Sequence, residues 1–298
     1  MTALEGKTIG FIGLGLMGQP MARNLLAAGA RLVVHNRSPG PARKLARAGA
    51  EVVETPREVA EQASIVIVMV SDTPAVQSVL FEKAGVAAGL GVNRRSGRGP
   101  LVIDMGTTDV ARTRQFAKWV VEAGGELMDA PVSGGQLGAR DGTLTIMAGG
   151  SKAAMARARP VLKVLGTHIT HVGEVGAGQA CKAVNQVIVG LTIGAVAEGL
   201  ALARAAGVDP GKARKALQGG FAASRILDVH GERMVKGRFK PGGKAATQRK
   251  DLAQALALAK ACGLDLPATR LNLKLYDRLI AAGGAERDHS ALFTLYGE

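Results

Sequence analysis

An apolar run, Thr8-Ile9-Gly10-Phe11-Ile12, leads directly into Gly13-Leu14-Gly15-Leu16-Met17-Gly18 and then into a helical pattern over residues 16–28. This arrangement restricts the fold more than any other feature of the chain. Three glycines so spaced between strand and helix allow a tight turn, a close approach of backbone to a bound group, and packing of the helix onto the strand. The strand-then-helix theme recurs. Arg31-Leu32-Val33-Val34-His35 precedes a helical pattern that begins near Pro41, and Leu101-Val102-Ile103-Asp104 is a further strand pattern. Residues 64–70 form a continuous apolar run, as expected of a central parallel strand covered on both faces. Such alternation implies a parallel sheet built from right-handed crossovers.

After residue 165 the pattern becomes helical. Residues 176–206 contain no proline and no strong polar break, which at about 1.5 Å per residue is a helix of roughly 45 Å. Stops follow at Gly207, Gly219-Gly220 and Pro241-Gly242-Gly243. The expected fold is α/β: an N-terminal Rossmann-type doubly wound sheet over residues 1–165, then an all-α domain over residues 166–298 entered through the long interdomain helix. With 298 residues the chain can build two cores. Gly190, Gly194, Ala195 and Ala197 make the long helix narrow, so it is expected to pack on several sides and to join copies of the chain into a homodimer or homotetramer.

Charge and composition bound the function. The formal net charge is +14, yet aromatics make up only 3% of residues and the basic residues are spread along the chain. Nucleic-acid modules concentrate charge and interleave aromatics, so nucleic acid is not the expected partner. A basic surface that attracts small anions fits better. The one short cluster, Asn93-Arg94-Arg95-Ser96-Gly97-Arg98, reads as a solvated loop. The first residues lack an apolar run of signal length, and no uninterrupted apolar run of membrane-spanning length occurs, so neither export nor a membrane is expected. Cys181 and Cys262 lack metal-ligand spacing and suit a reduced, cytoplasmic protein. The five histidines show no close ligand cluster, and no metal is expected.

The glycine turn opens a helix whose first N–H groups can face a pyrophosphate, so Gly13, Leu14, Gly15, Leu16, Met17 and Gly18 are read as a dinucleotide-binding turn. NAD-binding proteins place an acid on the ribose about 20 residues later. Here the chain reads His35-Asn36-Arg37-Ser38: Asn36 holds the acid's place without its charge, while Arg37 and Ser38 offer a cation and a hydroxyl to a 2′-phosphate. NADP(H) is favoured, with NAD(H) left open.

Two further segments carry chemistry. In Asp129-Ala130-Pro131-Val132-Ser133-Gly134-Gly135 the Ser-Gly-Gly turn exposes a hydroxyl and backbone N–H groups suited to a carboxylate. Lys182, Asn185 and Gln186 stand at i, i+3 and i+4 and share a helix face, with Gly178 one turn earlier leaving space. Lys182 precedes Val187-Ile188-Val189 on a helix that reads as buried. Burial depresses a lysine pKa, which suits a general base for a hydroxyl proton. Lys250-Asp251, on composition alone, is a surface ion pair.

Taken together in order, the Gly13–Gly18 turn, residues 129–135, residues 173–186, Lys250-Asp251-Leu252 and Asp288-His289-Ser290-Ala291 resemble the β-hydroxyacid dehydrogenase family over nearly the whole chain. The resemblance implies hydride transfer between NADP(H) or NAD(H) and a small carboxylate substrate, a β-hydroxy acid or its semialdehyde of the tartronate semialdehyde, 3-hydroxyisobutyrate or glyoxylate/succinic semialdehyde type. It implies Lys182 as acid/base, Asn185 and Gln186 as substrate-binding groups, and Ser133, Gly134 and Gly135 as the carboxylate turn. It places Val70, Ser71, Thr107, Lys250 and Asp251 at the cofactor. Relatives often carry an aromatic residue where this chain has Lys240-Pro241-Gly242-Gly243-Lys244, so a wider or more mobile pocket is expected there. Two alternatives remain: a non-catalytic dinucleotide-binding protein with a nucleic-acid surface, and an imine reductase-like enzyme. Lys182 with Asn185 and Ser133 argues against both.

Overall fold

The computed structural model describes residues 2–92 and 99–297, so the expected loop at residues 94–98 lies outside the described residues. The first compact unit, Met1–Lys182, alternates strand and helix. It runs β1 (Thr8–Ile12), α1 (Gly18–Ala27), β2 (Arg31–His35), α2 (Pro39–Ala46), β3 (Glu51–Val52), α3 (Pro56–Gln62), β4 (Ile65–Val68), α4 (Thr73–Phe81), α5 (Ala87–Leu90), β5 (Leu101–Asp104) and α6 (Val110–Glu122). There follow β6 (Glu126–Asp129), β7 (Val132–Ser133), α7 (Gly135–Asp141), β8 (Leu144–Gly149), α8 (Lys152–Leu165) and β9 (Gly166–Gly173).

The sheet order is β3-β2-β1-β4-β5-β6-β8-β7, with β9 paired to β8. From β3 to β6 every pairing is parallel, and β8 then turns antiparallel to β6 and β7. This is the doubly wound order, in which ligands gather at the carboxyl ends of the strands where the winding reverses, between β1 and β4. Strand periodicity explains how the sheet is covered. Ile9, Phe11, Leu32, Val34, Ile65, Ile67 and Ile103 pack on one face with residues of α1, α2 and α8. Their strand neighbours Ile12, Val33, Val66, Val68 and Val102 pack on the other face with residues of α3, α4 and α6. All four residues of β4 are therefore buried, as its unbroken apolar sequence requires.

Helix starts follow local chemistry. Thr55, Asp72, Asp109 and Ser151 each accept a backbone N–H of the first turn of α3, α4, α6 and α8. Helix α1 starts at Gly18, two residues later than its apolar pattern suggests, because the preceding residues form the glycine turn. The strand Gly166–Gly173 pairs with β8, and the division between compact units falls after Lys182, whereas the sequence pattern alone suggests a boundary after residue 165.

A continuous helix, α9 (Ala177–Ala205), runs from the end of the first unit into the second, Ala183–Glu298. That unit adds α10 (Pro210–Leu217), α11 (Arg225–Val235), α12 (Ala245–Ala261), α13 (Pro267–Leu279), a π-helical turn at Ile280–Gly284 and a 3₁₀ helix at His289–Tyr296. Its core joins Ile193, Ala197 and Leu200 of α9 to Met234, Leu252, Tyr276, Leu279 and Leu292. Gly190 and Gly194 let α9 approach its neighbours: a Cβ on them would come within 2.8 Å of Gln248 and 2.6 Å of Asn272. By length and composition alone, α9 is long and apolar enough to cross a membrane, with a window mean hydropathy of 1.7, although no uninterrupted apolar run of that length occurs in it. Its Ile193, Ala197 and Leu200 pack in the unit's own core.

Candidate active site

The dinucleotide turn begins at the end of β1, beside the winding reversal. Gly13 has φ +97°, a conformation that side-chain-bearing residues rarely adopt, and a Cβ there would lie 2.2 Å from the Met69 carbonyl oxygen. A Cβ on Gly18 would lie 1.9 Å from the Gly13 carbonyl oxygen. A Cβ on Gly15, by contrast, meets nothing within 4 Å. Two glycines thus close the turn, and the third keeps a space open at the mouth. That is the cradle a pyrophosphate needs. Asn36, at the end of β2, accepts the Leu14 N–H through Oδ1 at 2.8 Å and donates to the Ser38 carbonyl at 2.8 Å. It braces the turn against the next strand. Arg37 and Ser38 beside it are exposed, as are Gly15 and Leu16.

A second construction joins the ends of β5 and β6 to the start of α9. Asp104 accepts Gly106 N at 3.0 Å and the Thr108 hydroxyl at 2.6 Å, which folds the segment carrying Thr107 back on the strand. Gln179 accepts Thr108 N at 3.0 Å and donates to the Gly106 carbonyl at 3.0 Å. Asp129 accepts Gly176 N and Gln179 N, both at 2.7 Å. These N–H groups belong to the first turn of α9 or just precede it, and a helix leaves such donors without partners of its own. Burial raises the Asp129 carboxyl above its ordinary range, and the N–H groups of Gly176, Gln179 and Gly178 oppose that rise.

Lys182 lies one turn beyond Gln179. Its side chain is buried, and Nζ donates to the Val132 carbonyl at 2.7 Å. Val132 and Ser133 form β7, and the next two residues turn the chain with φ +125° at Gly134 and +60° at Gly135. Two successive left-handed positions require glycine, which is why Ser-Gly-Gly occupies this bend. The lysine is thereby tied to the segment that presents the Ser133 hydroxyl and the exposed N–H groups of the turn.

In the second unit, Gln186 donates to Asp251 Oδ2 at 2.6 Å and to Gln248 Oε1 at 3.2 Å, and accepts from Asn185 Nδ2 at 2.7 Å. Gln248 returns a bond to the Gln186 carbonyl at 3.1 Å. Asp251 is buried, not superficial, and pairs with Lys250 at 3.0 Å. The glutamine beside Asn185 is therefore engaged in joining α9 to α12. Gly242 and Gly243, where greater mobility is expected from sequence, both donate N–H groups to Asp288. The histidines are also closer than their sequence spacing suggests: His230 and His289 meet beside Asp288. The roles of Asp104, Thr108, Asp129 and Gln179 in this construction are not evident from their spacing in the chain. The signal for Gln179 was its place one turn before Lys182, and for Asp129 its position at a strand's carboxyl end.

The sequence and fold relationships decide the family. Residues 8–173 match the family described as the NAD binding domain of 6-phosphogluconate dehydrogenase, and residues 176–296 the family described as NAD-binding of NADP-dependent 3-hydroxyisobutyrate dehydrogenase. The chain is 50% identical over 285 residues to 2-hydroxy-3-oxopropionate reductase of Escherichia coli K12, covering 95% of each. The chain belongs to the β-hydroxyacid dehydrogenase family. Its fold matches a 3-hydroxyisobutyrate dehydrogenase from Salmonella typhimurium with a TM-score of 0.86 at 29% identity, over 97% of this chain and 99% of that one. It matches a Mycobacterium tuberculosis 3-hydroxyisobutyrate dehydrogenase, solved with L-serine, equally well at 0.86 and 30% identity, over 98% and 99%. It is an oxidoreductase that acts on CH–OH groups with a nicotinamide dinucleotide, and the Gly13–Gly15–Gly18 cradle fits that cofactor.

Proposed function

We propose that the protein interconverts a small β-hydroxy acid and its semialdehyde, in the manner of a 2-hydroxy-3-oxopropionate reductase, with Lys182 as general acid/base. The observation that carries this reading is the buried lysine bonded to the strand that leads into the Ser133–Gly135 turn. A bound nicotinamide dinucleotide supplies the hydride donor or acceptor. In oxidation, Nζ of neutral Lys182 takes the alcohol proton. In reduction, the ammonium form returns a proton to the oxygen of the forming alcohol. The Ser133 hydroxyl and the Gly134 and Gly135 N–H groups hold the substrate carboxylate, which fixes the reacting carbon and lowers the entropic part of the barrier. Asn185 binds the substrate, and Thr107, Val70, Ser71 and Lys250 contact the cofactor, as the family resemblance implies. Gln186 and Asp251, bonded to each other, position their neighbours Asn185 and Lys250.

The identity to a 2-hydroxy-3-oxopropionate reductase supports the semialdehyde reading. A panel of kcat/KM values for tartronate semialdehyde, glyoxylate, succinic semialdehyde and methylmalonate semialdehyde, each with NADPH and NADH, tests it. Tartronate semialdehyde is expected to rank first; turnover of an imine with no turnover of any semialdehyde would overturn the assignment.

NADP(H) is the preferred cofactor on this reading, because Arg37 and Ser38 stand exposed at the end of β2 and no acid is present at that position. Arg37→Asp is expected to move the preference towards NAD(H), and an unchanged ratio would remove Arg37 from the 2′-phosphate role. A reduced, cytoplasmic setting suits the free Cys181 and Cys262. A second copy of the chain is the proposed partner of α9, whose Val184, Ile188 and Leu202 are more than half exposed. Light scattering should report a dimer or tetramer that Ile188→Glu dissociates; a monomeric wild-type protein would refute it.

A further inference from the structure

The second unit holds a cluster of side chains that the oxidoreductase reading leaves unused. His230 lies on α11, Asp288 caps the 3₁₀ helix, and His289 is that helix's first residue. One nitrogen or oxygen from each of the three lies within 4.8 Å of the others. The two imidazoles face each other through Nε2 atoms 3.3 Å apart, with ring planes at 83°. On the other side of the His230 ring, Nδ1 is 3.5 Å from Asp288 Oδ1.

Asp288 is surrounded by donors. It is fully buried, and its oxygens accept Ser290 N at 3.1 Å, Ser290 Oγ at 2.6 Å, Gly242 N at 2.8 Å and Gly243 N at 3.3 Å, with the Arg233 guanidinium alongside. The Asp288 carboxylate thus stands on the Nδ1 side of the His230 ring, and His289 on its Nε2 side.

We propose that His230 and His289 form a two-histidine site for a borderline divalent cation, Zn²⁺ in the first place, with Asp288 as the carboxylate behind His230. Bonds of about 2.0–2.1 Å at a tetrahedral angle put two nitrogen ligands roughly 3.3–3.4 Å apart, which is the separation of these Nε2 atoms. A rotation of the rings about χ2 directs both lone pairs to one ion. A carboxylate on the non-ligating nitrogen is the usual device for orienting a zinc-bound histidine and raising its basicity. Both histidines are partly exposed, so solvent can complete the coordination. Arg233 offsets the Asp288 charge, which weakens the attraction for a cation. The bound ion would join α11 to the C-terminal turn.

Titration of tag-free protein with ZnCl₂ against a chromophoric chelator tests the site. One equivalent per chain is expected, lost in His230→Gln and in His289→Gln but retained in the His168→Gln/His171→Gln double variant. Asp288→Asn, compared at equal circular dichroism, should weaken uptake about 10–100-fold. Saturating Zn²⁺ should raise Tm by roughly 5 °C in the wild type and leave His289→Gln unchanged. Failure to take up zinc below millimolar concentration overturns the proposal. So does uptake that survives both single histidine variants, which would place the ion on the cysteines or other histidines.

Discussion

The glycine turn makes two substitutions of identical chemistry behave differently. A Cβ on Gly18 would stand 1.9 Å from the Gly13 carbonyl oxygen, well inside any real contact, and the obstacle is backbone. The helix must move off the strand, and overpacking of this kind costs about 1–3 kcal/mol. At roughly 2–4 °C per kcal/mol for a chain of this size, Gly18→Ala should lower Tm by about 2–12 °C. A Cβ on Gly15 meets nothing within 4 Å, and Gly15 is not among the residues of positive φ. Gly15→Ala should therefore leave Tm unchanged or raise it slightly, because alanine restricts the unfolded chain by about 0.4–1 kcal/mol. The same methyl occupies the space reserved for the pyrophosphate, so the dissociation constant of the dinucleotide should rise at least about tenfold, a loss of roughly 1.4 kcal/mol. Thermal unfolding without cofactor and fluorescence titration with NADPH read the two effects separately. A Gly15→Ala protein that binds NADPH like the wild type, or one destabilised as much as Gly18→Ala, would refute the reasoning.

Asp129→Ala leaves the Gly176 and Gln179 N–H groups without their acceptor, at about 1–3 kcal/mol for each buried donor; chemical denaturation should show the loss, and kcat should fall because Lys182 rides on the same helix. Asp129→Asn should recover part of both, since one amide oxygen can still accept one of the bonds. Asp288 should make folding acid-sensitive: its folded-state pKa lies below the ordinary 3.8, so its contribution is present above 3.8 and is lost as pH falls below it. Urea midpoints measured through the acid range should fall less steeply for Asp288→Asn, and that variant should be the weaker protein at neutral pH.

The alternation of strand and helix was legible because period-two and helical apolar patterns are local, and because the glycines mark their own turn. The lysine on an apolar helix was legible for the same reason: a charge in such a setting stands out. Contacts that depend on distant segments were not. Asp129 and Gly176 are 47 residues apart in the chain, and His230 and His289 are 59 apart. No spacing rule connects either pair. Gln186 shows a subtler limit. Its helix face was readable, but its bond to Asp251 depends on how α12 packs in the second unit, which no periodicity encodes. Asp251 likewise reads as superficial beside Lys250 and is buried, with Gln186 of α9 bonded to its carboxylate.

The account rests most heavily on Lys182. Steady-state kinetics of Lys182→Ala with saturating dinucleotide and the best semialdehyde from the panel, beside a cofactor titration of the same protein, test it directly. With the proton donor removed and the Gly13–Gly18 turn untouched, kcat should fall by about 10²–10⁴-fold while the cofactor dissociation constant stays within about twofold of wild type. Turnover within a few fold of wild type would contradict the assignment of Lys182 as the acid/base.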